Sequence, residues 1–507
     1  MMFLQVITST LFAVTFSPLI GVVALLFTPA DRKDTARWIA FSSSLVTFAL
    51  SLVMLSQFDS SKANMQLEVF VPWIQVGTNW NINFHFGVDG ISTLMILLTT
   101  FLVPIAVWAS FSVEERVKEY MIFFLLLEVG MLGVFVSLDL FLFYIFWEFS
   151  LVPMYMLIGI WGGKRRLYAA VKFFLYTMAG SILMLLAILW LGNNLKTFDY
   201  VEILARYKEI APAVQMWLFG GFALAFCIKV PLWPLHSWLP DAHVEAPTAG
   251  SVILAGVLLK LGTYGFLRFN LGLFPDAAHQ FAPLIATLAV IGIIYGAVVS
   301  FPQKDVKKLV AYSSVSHLGF VMLGLVAMND QGIEGAVLQM INHGISTGAL
   351  FLLIGMIYER RHTRELSEFG GLWKVMPIYG AFSLIVSLSS MGLPGLNGFV
   401  GEFTILLGAF GSHVLASPWY TVFATTGVIL AAVYMLWMFQ KMFLGPVTNP
   451  ENNHLQDLNW REIAVIVPLI VMIFVIGLYP KPFFDLMHAS VQQMTAVLDV
   501  AVHATGH

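Results

Sequence analysis

The apolar run that begins near Ala213 meets Lys229-Val-Pro-Leu-Trp-Pro234 and cannot pass it as one continuous helix. Pro231 and Pro234 each lack a backbone donor, and Lys229 puts an ammonium group at the same point. The interruption stands in a stretch long enough to cross a hydrocarbon core, which takes about 20 residues. Carbonyls freed there have to be met by protein or by water in a cavity. A second interruption, Gly392-Leu-Pro-Gly395 with Gly398 and Gly401 following, falls in a later apolar run. Breaks at corresponding places in two halves point to an inverted-repeat transporter with a polar site near the membrane midplane.

The rest of the chain fits that setting. It has 507 residues, 59% hydrophobic and 11% charged, with a mean hydropathy of +0.84, whereas soluble domains carry roughly 25% charged residues. A net charge of -3 provides neither a basic field for nucleic acid nor an acidic tail. The single cysteine, Cys227, has no second thiol for a disulfide, a zinc knuckle or an iron–sulfur site, so redox chemistry is expected elsewhere. The first apolar run, Phe3 to Phe27, lacks a basic leader and reads as a retained span rather than a signal peptide.

Apolar stretches begin near Leu4, Thr35, Ile91, Met121, Phe141, Tyr168, Ala213, Thr248, Phe281, Lys308, Gly335, Met376, Trp419 and Ile463. They predict an all-α polytopic membrane protein with about 14 transmembrane helices. The runs are continuously apolar, unlike the short alternating strands of a barrel. The expected organisation is an N-terminal set of three helices over 1–118 and a region over 119–507. In the latter, two inverted five-helix repeats, about 119–272 and 281–444, precede a C-terminal helix. Gln57–Asp89 and Asn193–Pro212 are the longer loops, both too short for a separate domain. Basic residues cluster at Arg32, Lys33 and Arg37, at Arg116 and Lys118, at Lys164 to Arg166, at Lys304, Lys307 and Lys308, and at Arg360, Arg361 and Arg364. Each cluster joins an odd-numbered span to the next even one, so the positive-inside rule makes that face cytoplasmic.

Charged side chains inside a bilayer cost about 2.5–3.5 kcal/mol each on insertion scales, and are functional or paired where they occur. The sequence places Glu128 in span four, Glu148 in span five, Lys229 at the break of seven, Lys260 in eight and Glu402 after the break of twelve. His317 and His343 fall in spans ten and eleven. Glu148 is the candidate partner of Lys229. Moving that carboxylate toward or away from a buried ammonium raises or lowers its proton affinity, which makes the pair a proton switch. Lys260 and the histidines are candidate relay stations, because imidazole titrates near neutral pH, and Glu402 ends the row. The bland readings are a static Glu148–Lys229 ion pair, a snorkelling Lys260 and histidines that only hydrogen-bond across helices. Asp89 and Asp139 are expected at span ends as solvated charges. His236 and His243 are spaced as metal ligands might be, but Pro240 between them is expected to break the helical register. The Gly392–Gly401 series follows no strand and is not a nucleotide loop.

The segment from Lys229 to Gly256, with Trp238-Leu-Pro-Asp-Ala-His-Val-Glu-Ala-Pro-Thr-Ala-Gly at its heart, resembles the signature of the antiporter-like membrane subunits of respiratory complex I. Phe146-Trp-Glu-Phe-Ser150, Ala311-Tyr-Ser-Ser-Val-Ser-His317 and Gly398-Phe-Val-Gly-Glu402 are further matches, and the similarity covers essentially the whole chain. The resemblance implies that Glu148 and Lys229 are the family's glutamate–lysine pair, Lys260 its central lysine, His317 and His343 its connecting histidines, and Glu402 its terminal acidic residue. Glu402 also sets the chain apart from the L- and N-type sister subunits, which usually carry lysine there. A complex of this kind oxidises NADH, reduces a quinone and pumps protons. FMN, iron–sulfur clusters and the NADH and quinone sites are then expected on other subunits, with no cofactor or metal in this chain. The implied partners are L- and N-type sister subunits and lipid, in a bacterial cell (inner) membrane. The alternatives are an Mrp-type sodium/proton antiporter subunit and a haem-carrying membrane cytochrome.

Overall fold

A computed structural model describes residues 9–77 and 80–505; residues 3–8 of the predicted first span lie outside them. The helices run α1 Thr10–Phe27, α2 Lys33–Gln57, α3 Gly90–Ala109, α4 Val117–Val136, α5 Leu140–Trp161 and α6 Arg166–Leu195. After the short helix Tyr200–Ala205 come α7 Pro212–Lys229, α8 Trp238–Glu245, α9 Thr248–Leu271, α10 Pro275–Ser300, α11 Val306–Val326 and α12 Asp330–Arg361. The chain ends with α13 Pro377–Ser390, α14 Asn397–Phe410, α15 Trp419–Phe443, α16 Trp460–Leu478 and α17 Lys481–Thr505. Among the described residues 13 helices are long and apolar enough to cross a membrane. The remaining predicted span, near Met376, is the pair α13 and α14, split at the glycine-rich break.

Helix starts are written in the sequence. Asp89, Asp139, Asp305, Asn329 and Asn459 each accept a backbone N–H from the first turn of the helix that follows. This satisfies donors that have no partner within the helix.

The chain forms two compact units. The described residues within Met1–Val230, Val257–Phe281 and Asp485–His507 make the first, and Pro231–Gly256 with Ala282–Phe484 the second. In the first unit the predicted loop Gln57–Asp89 is mostly an antiparallel hairpin, β1 Gln66–Val76 and β2 Trp80–Val88. Its residues alternate, as in Asn81-Ile-Asn-Phe-His-Phe86, with Ile82 and Phe86 buried. That period of two is invisible to a search for 20-residue apolar runs. Leu138 donates to the His85 carbonyl at 2.9 Å, Leu140 to that of Phe198 at 2.8 Å, and Tyr200 to that of Leu138 at 2.7 Å. The loops that join even-numbered spans to odd ones therefore meet at one end of this unit. In the second unit, Val306 and Leu366 donate to the carbonyls of Arg364 and Lys304, tying together two of the basic loops. There α12 is buried, and Gly401 on α14 packs so closely on it that an added Cβ would stand 3.0 Å from the Gln339 Cα.

Candidate functional site

Lys229 is the last residue of α7, fully enclosed, and its Nζ has no hydrogen-bond partner. It lies 5.4 Å from the ring centroids of both Trp147 and Phe173, close enough for cation–π attraction of about 0.5–2 kcal/mol. Glu148, beside Trp147 on α5, is half-buried and is the carboxylate that acts on Lys229 through space. The Lys229 ammonium makes no hydrogen bond to Glu148.

Lys260 is also completely enclosed, which excludes the snorkelling alternative. It sits on α9 between two π-helical turns, Leu254–Leu258 and Phe266–Leu271. Such turns are rare and occur frequently at functional sites. Just beyond it, the α9 backbone passes Lys229, where a Cβ built on Gly262 would stand 3.0 Å from the Lys229 Cβ. Glu128 on α4 is enclosed as well, and neither carboxyl oxygen has a hydrogen-bond partner.

In the second unit His317 Nδ1 on α11 and Glu402 Oε1 on α14 are 2.8 Å apart, both buried. Gln339 Nε2 donates to the same oxygen at 3.1 Å. On the other side of the ring, His317 Nε2 is 3.5 Å from the hydroxyls of both Ser390 and Tyr434. The His343 ring centroid is 6.0 Å from that of His317. Both histidines, with Asn342 and Ser389 among others, line a small cavity of about 10 Å³, room for about one water. Glu402 owes its surroundings to the helix break. Gly392 has φ +77° and Gly395 φ +90°, a region that favours glycine. Asn397 at the start of α14 accepts from Ser389 at 2.5 Å, while Asn342 donates to its carbonyl at 2.7 Å. The break is thus held by side chains of its own unit, as buried backbone demands.

Two sequence expectations are corrected. Asp89 and Asp139 stand at span ends but are not solvated, being 2% and 0% exposed. Asp89 caps α3 and forms a buried ion pair with Arg268 at 2.6 Å. Asp139 caps α5 and accepts the Asn83 N–H at 2.9 Å; burial pushes its carboxyl up to about 6, although hydrogen bonds from Asn83, Leu142 and Phe141 oppose the rise. Pro240 does not break a helical register, because it lies in the first turn of α8, where a missing N–H is tolerated. His243 stacks on Phe351 with ring centroids 4.6 Å apart.

Sequence reasoning missed Lys307 as a structural cation. Its Nζ donates to the Ala246 carbonyl at 2.6 Å, and Arg364 donates to that of Val244 at 2.6 Å. Two cations thus cover the last carbonyls of α8, the favourable end for positive charge. Also missed was His85, whose ring nitrogens bind the Asp199 and Glu68 carboxylates. Burial opposes the charged ring, but those two partners hold its pKa above the ordinary value. Among the described residues no group of three His, Cys, Asp or Glu could hold a metal ion.

Residues 137–443 match the NADH:quinone oxidoreductase/Mrp antiporter transmembrane family, and the chain belongs to that family. Its relatives place it further. It is 44% identical to NADH-quinone oxidoreductase subunit M of Rhodobacter capsulatus, over 95% of both chains. It is also 44% identical to NADH-ubiquinone oxidoreductase chain 4 of Arabidopsis thaliana, over 94% of this chain and 95% of that one. A chain of respiratory complex I from Thermus thermophilus with bound NADH superposes with a TM-score of 0.86 at 32% identity, covering 96% of this chain and 99% of that one.

Proposed function

We propose that the chain is a proton-translocating membrane subunit of an NADH:quinone oxidoreductase, working through buried ionisable residues in each of its two units. The redox half of the reading is supported by the relatives' identity across nearly the whole chain. The proton half is carried by one observation: Lys229 is enclosed at a helix break without a hydrogen-bond partner, with Glu148 as an opposing charge that does not lock it. As Glu148 moves closer, the ammonium form gains; as it moves away, Lys229 gives its proton up. Lys260 and the enclosed Glu128 are further proton-exchanging groups of that unit. In the second unit His317 passes a proton between Glu402 and the hydroxyl side of its ring by exchanging tautomers, with His343 beside the same cavity.

NADH, FMN, the iron–sulfur clusters and quinone belong to other subunits in this reading. The partners are L- and N-type sister subunits and lipid, in a bacterial inner membrane with the basic loops facing the cytoplasm. The region 119–507 carries the two inverted repeats, about 119–272 and 281–444, after three N-terminal helices in 1–118. The breaks after Lys229 and Ser390 support that division.

The test is NADH-driven proton uptake per quinone reduced, in proteoliposomes holding the complex purified through a tag on this chain. Wild type is compared with Lys229→Ala after assembly is checked in both. Lower pumping or stalled turnover in the intact Lys229→Ala complex is expected. Sodium/proton exchange that copurifies without NADH oxidation would replace this reading with the Mrp-type antiporter.

A further inference from the structure

The buried Asp89–Arg268 pair forms the floor of a cavity of about 180 Å³ within the first unit. Tyr200 and Ser490 are also buried in its lining, while the exposed Asn64, Glu68 and Gln493 stand at its rim. The cavity has room for several waters, and although most of its lining is apolar, Asp89, Arg268, Tyr200 and Ser490 supply polar partners. Arg268 brings an Nε that is buried and has no hydrogen-bond partner in the protein. An orphaned guanidinium donor beside a cavity of this size calls for water. Two carboxylates, Asp89 and Glu68, against one guanidinium leave no surplus positive charge for a phosphate or another anion.

The cavity lies among the segments preceding α3, following α6 and following α9, all at the end opposite the basic loops. Lys260 and Arg268 share α9, so one helix carries both the buried lysine and the cavity's cation. Resting on the proton-translocation reading above, we propose that this cavity is a water-filled vestibule through which the first unit exchanges protons with the solution on the face away from the basic loops. The Asp89–Arg268 ion pair holds its floor in place, and the proton passes along the vestibule water rather than through the pair.

The test uses the whole complex in right-side-out and inverted membrane vesicles. Cys227 is buried, which leaves this chain a quiet background for thiol labelling. A Ser490→Cys variant, nearly isosteric at the cavity floor, is exposed to a small charged methanethiosulfonate from either face and its label located by mass spectrometry. Labelling only from the face opposite the basic loops, with a loss of proton uptake per quinone reduced after modification, is expected. Absence of label, label only from the basic face, or full pumping after complete modification would overturn the vestibule. If the vestibule falls but Lys229→Ala still lowers pumping, the proposed function stands; if Lys229→Ala pumps normally, the underlying reading is what fails.

Discussion

Gly392 and Gly395 offer a comparison in which backbone strain is shared and only one site presses on Glu402. Both have left-handed φ values, +77° and +90°, so alanine at either costs about 1–2 kcal/mol in backbone strain. At Gly395 an added Cβ meets nothing within 4 Å, whereas at Gly392 it would stand 3.2 Å from Glu402 Oε2. Glu402 then has to give by a few tenths of an ångström, while its other oxygen is engaged by His317 at 2.8 Å and Gln339 at 3.1 Å. Hydrogen bonds to charged groups contribute about 1.5–3 kcal/mol. A partial loss near 1.4 kcal/mol would change the population of the His317–Glu402 contact about tenfold. Both Gly392→Ala and Gly395→Ala are therefore expected to lower the melting temperature of the complex, Gly392→Ala by the larger amount. Only Gly392→Ala should also reduce proton uptake per quinone reduced in proteoliposomes. Equal pumping in the two variants, or a larger defect in Gly395→Ala, would refute the claim that Glu402 is placed by the glycine at the break.

Lys307→Met should weaken the α8 terminus by about 1.5–3 kcal/mol, the scale of a hydrogen bond from a charged donor; faster hydrogen exchange at Val244–Ala246 would report it, and unchanged exchange would deny the capping role. The hairpin should be pH-sensitive through His85, whose pKa is raised in the fold. Its stabilisation is then fully present below the ordinary histidine value of about 6.5 and is lost as pH rises through the folded pKa. Protection factors of hairpin amides should fall across that range in wild type and stay flat in His85→Gln.

The spans and both breaks were legible because length, apolarity and proline are local properties. The hairpin was not, because its alternation of period two is short and is interrupted by Pro72. Pairings were harder to read. Asp89 and Arg268 are far apart in sequence, and nothing local tells a capping aspartate in water from one locked to a buried guanidinium. Glu148 and Lys229 could be matched because each stood alone in an apolar run. Lys307 was obscured by its neighbours, since a basic cluster at a span end reads as a topology marker even when one member points inward.

The two π-turns of α9 also constrain how this chain can vary. Each closes a wider turn than the α-helical ladder. Deleting one residue from a π-turn would relax it to an α-helix and leave the register beyond it nearly unchanged, whereas deleting one from the α-helical stretch between them, Leu259–Gly265, would rotate everything beyond it by about 100°. Arg268 would then swing away from Asp89. Loops can absorb insertions and deletions, but here the loss of one residue would break the alignment of Lys260 with Arg268. The length of that short stretch is accordingly a gauge of function: among natural variants, chimaeras or repaired genes, one that loses a single residue between Leu259 and Gly265 should assemble poorly or pump poorly, however conservative its remaining substitutions.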